Sequence, residues 1–291
     1  MKIRPAKSSD KQEILSFCTG TFDWGDYIDK VWDIWYAGKD GRLFVVEDAG
    51  NRIAISHVAL CRKNRLAWLQ GVRVHPDHRR SKVATELLDS MLAYAGRHGA
   101  RRASAIVSVE NVPSQRMMKK NGFAVVSKWV YYSTGQKLVQ QKTGARLATP
   151  ADLDRIWEYL QQSQIYRLSA GTYVKEWHWY PLDRAALRKL VREKRVALTG
   201  DVDGLAVINP DGYWNRPTVL QIVYLDSQST KSLRDLLALA TNMYSGGDYE
   251  RMHVVCHDSS ILTSMLAKFK KEESELFLLY SKEFTQRKRE P

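Results

Sequence analysis

The sequence predicts an α/β (α+β) fold made twice over, each half a mixed sheet flanked by helices. Three observations lead there. The motif R-x-A-x-x-x-D opens the chain as Arg4-Pro5-Ala6-Lys7-Ser8-Ser9-Asp10 and returns as Arg146-Leu147-Ala148-Thr149-Pro150-Ala151-Asp152. The halves end alike, on the β-rich stretches Val130-Tyr131-Tyr132-Ser133 and Leu278-Leu279-Tyr280-Ser281. Between those ends each half carries paired strands, a long helix, and a further strand and helix in the same order, which is the pattern of a tandem duplication. A chain of 291 residues with 44% hydrophobic side chains can fill two cores. The polar stretch Thr134 to Thr143 separates them, so the expected domains are residues 1–134 and 144–291.

Each copy of the motif reads as a short strand, a polar turn and an aspartate that caps free N–H groups at a helix start. Apolar residues follow at matching offsets, Ile14 and Phe17 in the first copy, Ile156 and Tyr159 in the second. Further on, Tyr27, Val31, Ile34 and Trp35 fall on one helical stripe. Leu43 to Glu47 and Ile53 to Cys61 form a hairpin around Asp48-Ala49-Gly50-Asn51, a composition that tolerates the positive φ of a tight turn. A strand, Ala67 to Val74, comes next. Val83, Leu87, Leu88, Met91, Leu92 and Ala95 then share a helix face, Gly96 and Gly99 end it, and Ala103 to Val109 is a strand behind it.

The composition narrows the function classes. No run of about 18 apolar residues exists, so no membrane-spanning helix is expected, and a cytoplasmic location is. Cys18, Cys61 and Cys256 lie far apart without a CxxC pair, which argues against a disulfide framework and a structural zinc site. The net charge of +13 raises nucleic acid as a partner. The basic residues are nevertheless spread along the chain without a recognition-helix, zinc-finger or RNP-like pattern, so a basic surface that attracts anionic coenzymes is the expectation.

The chemistry is concentrated in Gly71-Val72-Arg73-Val74-His75-Pro76-Asp77-His78-Arg79-Arg80-Ser81-Lys82-Val83-Ala84-Thr85, which joins a buried strand to the start of a helix. Unpaired N–H groups and the helix dipole favour an anion there, and Arg79, Arg80 and Lys82 add charge. This stretch resembles the coenzyme-binding motif R/Q-x-x-G-x-G/A of GNAT acetyltransferases, with Arg79 and Ala84 matching its ends and Lys82 standing where the central glycine does. The family's second signature, N-x-x-A/S-x-x-L-Y-x-K-x-G-F, is similar to Asn111-Val112-Pro113-Ser114-Gln115-Arg116-Met117-Met118-Lys119-Lys120-Asn121-Gly122-Phe123. The tyrosine that protonates the departing thiolate in many relatives is Met118 here.

The resemblance implies acetyl-CoA as co-substrate, a mostly antiparallel sheet in each half, and a primary amine as acceptor. Val72, Arg73 and Val74 would meet the pantetheine arm and the thioester carbonyl. Arg79, Arg80, Ser81, Lys82, Val83, Ala84 and Thr85 would hold the diphosphate, with Asn111, Ser114 and Met118 beside the coenzyme. Gly71 would mark the bulge that splays this strand from its neighbour. Amine attack needs a base, and Glu110 and His57 are the candidates. Trp24 and Tyr27 lie where the family places its acceptor-binding helices, among four aspartates. The D-Y-x-x-x-V-W-x-x-W pattern there, followed by Gly41-Arg42-Leu43-Phe44-Val45-Val46-Glu47, resembles a tandem-GNAT group that includes a vertebrate histidine N-acetyltransferase, and so points to a small molecule such as an amino acid. Peptide acceptors, and a non-catalytic acyl-CoA-binding or nucleic-acid-associated protein, are the alternatives. The second half lacks both signatures and reads as a degenerate copy. Asp226 near its equivalent loop would repel phosphate, the aromatic run Tyr173, Trp177, Trp179 and Tyr180 would help wall the acceptor side, and Gln286 to Glu290 reads as a basic tail. Nothing in the sequence fixes the oligomeric state.

Overall fold

The structure is a computed structural model that describes residues 1–22, 25–136, 138–214, 216–266 and 271–284. In chain order it runs β1 (Lys2–Pro5), α1 (Lys11–Cys18), α2 (Ile28–Ala37), β2 (Gly41–Asp48), β3 (Asn51–Cys61), β4 (Leu66–Val74), α3 (Val83–Arg97), β5 (Arg102–Ser108) and α4 (Val112–Lys120). There follow β6 (Ala124–Thr134), β7 (Arg146–Leu147), α5 (Leu153–Gln162), α6 (Gln164–Leu168), β8 (Thr172–Lys175), β9 (His178–Pro181), α7 (Arg184–Arg192), β10 (Val196–Leu198) and β11 (Gly204–Asn209). The last elements are β12 (Val219–Ser227), α8 (Thr230–Gly246), β13 (Arg251–His257), α9 (Ser260–Leu266) and β14 (Glu273–Glu283). The fold is mixed α/β, with sheets both antiparallel and parallel.

Two compact units form. The first takes residues 1–106, 112–124 and the chain end from Tyr280; the second takes 107–111 and 125–279. In the first the strand order is β1-β2-β3-β4-β5 and then the end of β14, all neighbours among β1 to β4 antiparallel and β4 parallel to β5. The β2–β3 hairpin turns through Ala49 and Gly50, both at positive φ (48° and 87°), as the composition of that turn requires. Lys282 of β14 donates to the Asn121 carbonyl at 2.8 Å, and the Phe284 N–H donates to the Arg101 carbonyl at 2.8 Å. In the second unit β6-β13-β12-β11-β10-β7 is the order, with β12 parallel to β13, and β8–β9 is a separate hairpin. β6 and the end of β14 are each the last strand of one half of the sequence, and each is built into the unit of the other half.

The core of the first unit is layered by register. Leu43, His57 and Gln70 stand opposite one another on β2, β3 and β4. His57 stacks on Trp35 of α2, centroids 4.6 Å apart and planes 5° from parallel. Their neighbour Phe44 points to the other face and meets Tyr94 of α3 edge-on at 5.7 Å. α3 buries Val83, Leu87, Leu88, Met91 and Ala95, and each of its large apolar side chains contributes about 1.5–3 kcal/mol on leaving water. In α2 the buried stripe is Ile28, Val31, Trp32 and Trp35, whereas Ile34 is exposed. The expected stripe through Ile34 is thereby corrected: positions 28, 31, 32 and 35 follow the 3.6-residue period from the first turn, and 34 falls outside it.

The repeated motif makes the same device twice. Arg4 donates from both terminal nitrogens to Asp10 (2.7 and 2.9 Å), and Arg146 does so to Asp152 (2.8 and 2.7 Å). Each aspartate also accepts the main-chain N–H three residues before it, from Lys7 at 2.7 Å and Thr149 at 2.8 Å. The carboxylate thus caps a short 3₁₀ turn ahead of the helix rather than the first amides of α1 or α5.

Candidate active site

β4 and β5 pair only from Leu66/Arg102 to Trp68/Ser104, although β4 runs on to Val74 and β5 to Ser108. The two parallel strands therefore part along their C-terminal ends, the place where open α/β sheets bind ligands. The β3–β4 register slips between Ile55 and His57 at the same level, and Gly71 there has φ +68°. A Cβ on Gly71 would lie 2.6 Å from the Trp35 ring, so both the backbone angle and the close approach require glycine.

The eight residues 75–82 lead from β4 to α3. His75 and Pro76 begin with a 3₁₀ turn in which the His75 Nδ1 accepts from the Asp77 N–H at 3.3 Å. Arg80 and Lys82 then take positive φ, 65° and 67°. Lys82 adopts the left-handed conformation for which the motif's glycine is suited, and its carbonyl accepts the N–H groups of Thr85 and Glu86. Among the described residues no acceptor meets the N–H groups from Arg80 to Ala84. Arg79, Arg80, Ser81 and Lys82 are exposed around this opening. Unpaired amides and the dipole of a 15-residue helix thus open from a segment that carries three exposed cationic residues, of which Arg79 donates from Nε to the Val74 carbonyl at 3.3 Å.

The other predicted residues sit as follows. Ser114 is half-buried and Met118 buried on α4, 3% of the latter's surface accessible. Asn111 follows Glu110 in the turn after β5, and the Glu110 side chain is exposed. His57 is 5% exposed, stacked on Trp35, with Nδ1 at 2.9 Å from the Gln70 amide. Trp24 lies outside the described residues, as does the tail Gln286 to Glu290. Tyr27 is held against β4: the Arg73 guanidinium lies 5.1 Å over its ring, and burial above all raises its pKa. Of the aspartates beside it, Asp26 is paired with Arg73 at 2.7 Å and Asp33 with Lys11 at 2.7 Å. The sequence pattern gave no sign of the Asp26–Arg73 pair, because the partners are 47 positions apart.

The comparisons with known proteins bear on this arrangement. Residues 11–123, which hold the parted strands and the α3 opening, match the model of the acetyltransferase (GNAT) family. Within those residues the chain is similar to the GNAT acetyltransferase family. No curated protein matches it in sequence. Among solved structures, a GCN5-related N-acetyltransferase from Sphaerobacter thermophilus aligns with a TM-score of 0.63 at 14% identity, covering 97% of this chain and 95% of that one. A tandem GNAT protein from the clavulanic acid biosynthesis pathway aligns with a TM-score of 0.54 at 14% identity, covering 97% and 98%. At such identities the likeness speaks for the fold, and it extends over both GNAT-like units.

The second GNAT-like unit repeats the parted strands but not the helix opening. β12 and β13 pair from Val219/Arg251 to Ile222/Val254 and no further, and the β11–β12 register slips beside Val223. Only two residues, 228 and 229, lead from β12 to α8. At the α8 N-terminus stands the carboxylate of Asp203, which accepts from Ser229 at 3.1 Å, from Thr199 at 2.6 Å and from Ser232. Burial works against its charge, yet those hydroxyls hold it below the usual carboxylate range. Asp226, expected near a phosphate loop, instead accepts three buried hydroxyls, from Tyr159 (2.8 Å), Ser163 (2.6 Å) and Tyr224 (2.7 Å), and burial raises its pKa.

Proposed function

We propose that the chain transfers an acetyl group from acetyl-CoA to the primary amine of a small molecule such as an amino acid. The observation that carries this reading is the bulged end of β4, parted from β5 and followed by an α3 mouth with unpaired amides. The residues present fit the coenzyme: the parted strands leave room for a narrow arm, and the 79–85 segment offers donors and positive charge to a diphosphate. Val72, Arg73 and Val74 would line the arm with main-chain groups; Arg79, Arg80, Ser81, Lys82, Val83, Ala84 and Thr85 would hold the diphosphate; Asn111, Ser114 and Met118 would flank it. Acetyl-CoA supplies a thioester carbonyl open to attack by a neutral amine. An N–H of the bulged strand aimed at that oxygen would stabilise the charge that develops on it. Of the two base candidates, Glu110 is the one in contact with solvent, and we assign the proton to its carboxylate; His57 is enclosed by Trp35 and Gln70 and supports the wall. Met118 has no proton to give, so the departing thiolate is protonated from solvent.

The halves 1–134 and 144–291 are, in this reading, a tandem pair whose second member has lost its coenzyme site, Asp203 standing in for the anion. Incubation with acetyl-CoA and a pooled amine library, with free thiol and acylated product as readouts, tests the activity. Turnover with free amino acids and loss of about 100-fold in Glu110→Gln is the expected result. Coenzyme binding without acylation of any amine counts against it, and preference for peptides over free amino acids would replace the acceptor class.

A further inference from the structure

The side chains beneath the β4 bulge form one connected group. Arg73 donates from Nε and Nη2 to the two oxygens of Asp26, at 2.7 and 3.1 Å, and from Nη1 to the Val72 carbonyl at 3.1 Å. The pair is buried, 11% of the arginine side chain and 5% of the aspartate side chain being accessible. Asp26 also accepts the main-chain N–H groups of Tyr27 (2.6 Å) and Ile28 (3.2 Å), which fixes it to the start of α2. The guanidinium lies over the rings of Phe22 and Tyr27, 4.9 and 5.1 Å from their centroids. Tyr27 completes the link: its ring lies under the guanidinium and edge-on to Trp35 at 6.1 Å, with its buried hydroxyl beside the Gly71 main chain. Trp35 closes on the bare Cα of Gly71 from the same helix.

Arg73 is therefore held by Asp26, Gly71 is met by Tyr27 and Trp35, and Val72 is reached through Arg73. A bulge has lost its ladder bonds and would otherwise choose among several backbone conformations. We propose that Asp26, Arg73 and Tyr27 are positioning residues, a clamp by which the α1–α2 segment sets the conformation of Gly71 to Arg73 and hence the aim of the amides along the parted strand. This rests on the reading of β4 as the thioester strand. It makes the acceptor side and the coenzyme strand one mechanical unit: Phe22, 37% exposed, is stacked on the same guanidinium that holds the bulge. Bidentate fork geometry matters here, because lysine supplies charge without the second bond or the bond to Val72.

The test uses the full chain with Tyr27→Phe, Arg73→Lys and Asp26→Asn. Hydrogen exchange of the Gly71 amide in the coenzyme-free protein is expected to rise at least 10-fold in Tyr27→Phe. In Arg73→Lys, kcat is expected to fall about 10- to 100-fold, since a misplacement of about 1 Å has that effect. Affinity for CoA by calorimetry is expected to change less than about threefold, because the diphosphate is held elsewhere. Asp26→Asn, which keeps the main-chain caps, is expected to lose less than Asp26→Ala. Should Tyr27→Phe leave both Gly71 exchange and kcat unchanged, or should CoA affinity fall in step with kcat, the clamp is a fold-stabilising contact and the proposal is overturned. A wild-type protein that acylates no amine overturns the functional reading itself, and the clamp with it. If Arg73→Lys does not fold, Tyr27→Phe alone decides.

Discussion

Lys82 shows how one side chain can break a motif's letter and keep its shape. The position asks for φ near +60°, where a Cβ crowds the following carbonyl at a cost of about 1–2 kcal/mol. Lysine accepts that strain at φ 67°, at the residue that caps α3. Glycine there would relieve the strain but add freedom to the unfolded chain, two effects of similar size and opposite sign. Lys82→Gly is thus expected to shift the unfolding free energy by less than about 1 kcal/mol, and Lys82→Val, β-branched where φ is positive, to lower it by about 1–2 kcal/mol. Urea melts check both. Calorimetry on Lys82→Gly separates the charge from the shape: weaker CoA binding at 50 mM salt that converges on the wild type at 500 mM marks an electrostatic contribution.

At the scale of elements, the two helix mouths differ in how they are entered and in what meets them. α3 is entered by eight residues and keeps its amides open; α8 is entered by two and is met by Asp203. An internal carboxylate already bonded to Ser229, Ser232 and Thr199 leaves no place for a diphosphate, and like charge would oppose one. Titration of the whole chain with CoA is expected to give one site. Arg79→Ala combined with Arg80→Ala should abolish it, and a residual site would place a coenzyme on the second unit. Much of this was legible in the sequence. The R-x-A-x-x-x-D repeat is a local ion pair between residues six positions apart, and Gly71 and the 79–85 segment are short-range backbone requirements, so composition at those positions reports them. Asp203 was not legible, because it reaches α8 from the turn before β11 and nothing in Gly200-Asp201-Val202-Asp203 marks its target. The placing of β6 and the end of β14 was hidden for a related reason. Both strands carry the same aromatic and β-branched character, and which sheet a strand joins is decided by long-range pairing, which a period-2 pattern does not encode.

For the whole molecule, the buried ionisable groups set the acid limit. His253 lies within β13, 1% exposed, its Nε2 at 3.2 Å from the Tyr131 hydroxyl. Burial, aided by Arg251 and Arg216, lowers its pKa to about 3, and burial likewise lowers that of His257. A histidine whose folded pKa lies below its unfolded value of 6.5 binds its proton more readily in the unfolded chain. Stability is therefore full above pH 6.5 and declines as the pH falls toward 3. At pH 5 the shortfall from His253 is about 2 kcal/mol, at 1.36 kcal/mol per pH unit. Asp10 and Asp152, held well below the ordinary carboxylate range by their arginines against the opposing effect of burial, act in the same direction but only below about pH 4. Asp226 acts oppositely: its raised pKa means the folded state favours the proton, so its contribution weakens as pH rises past the ordinary value. Histidine titration precedes that of Asp10 and Asp152 on the way down from neutrality, so the urea midpoint is expected to drop between pH 7 and pH 5. His253→Gln, which cannot take up the proton, should reduce that drop and leave the part due to His178 and His257, whose pKa values burial also lowers, while Asp10→Asn leaves its slope unchanged. A midpoint constant from pH 7 to 5 in the wild type would mean that the β13 histidines reach water in the folded state.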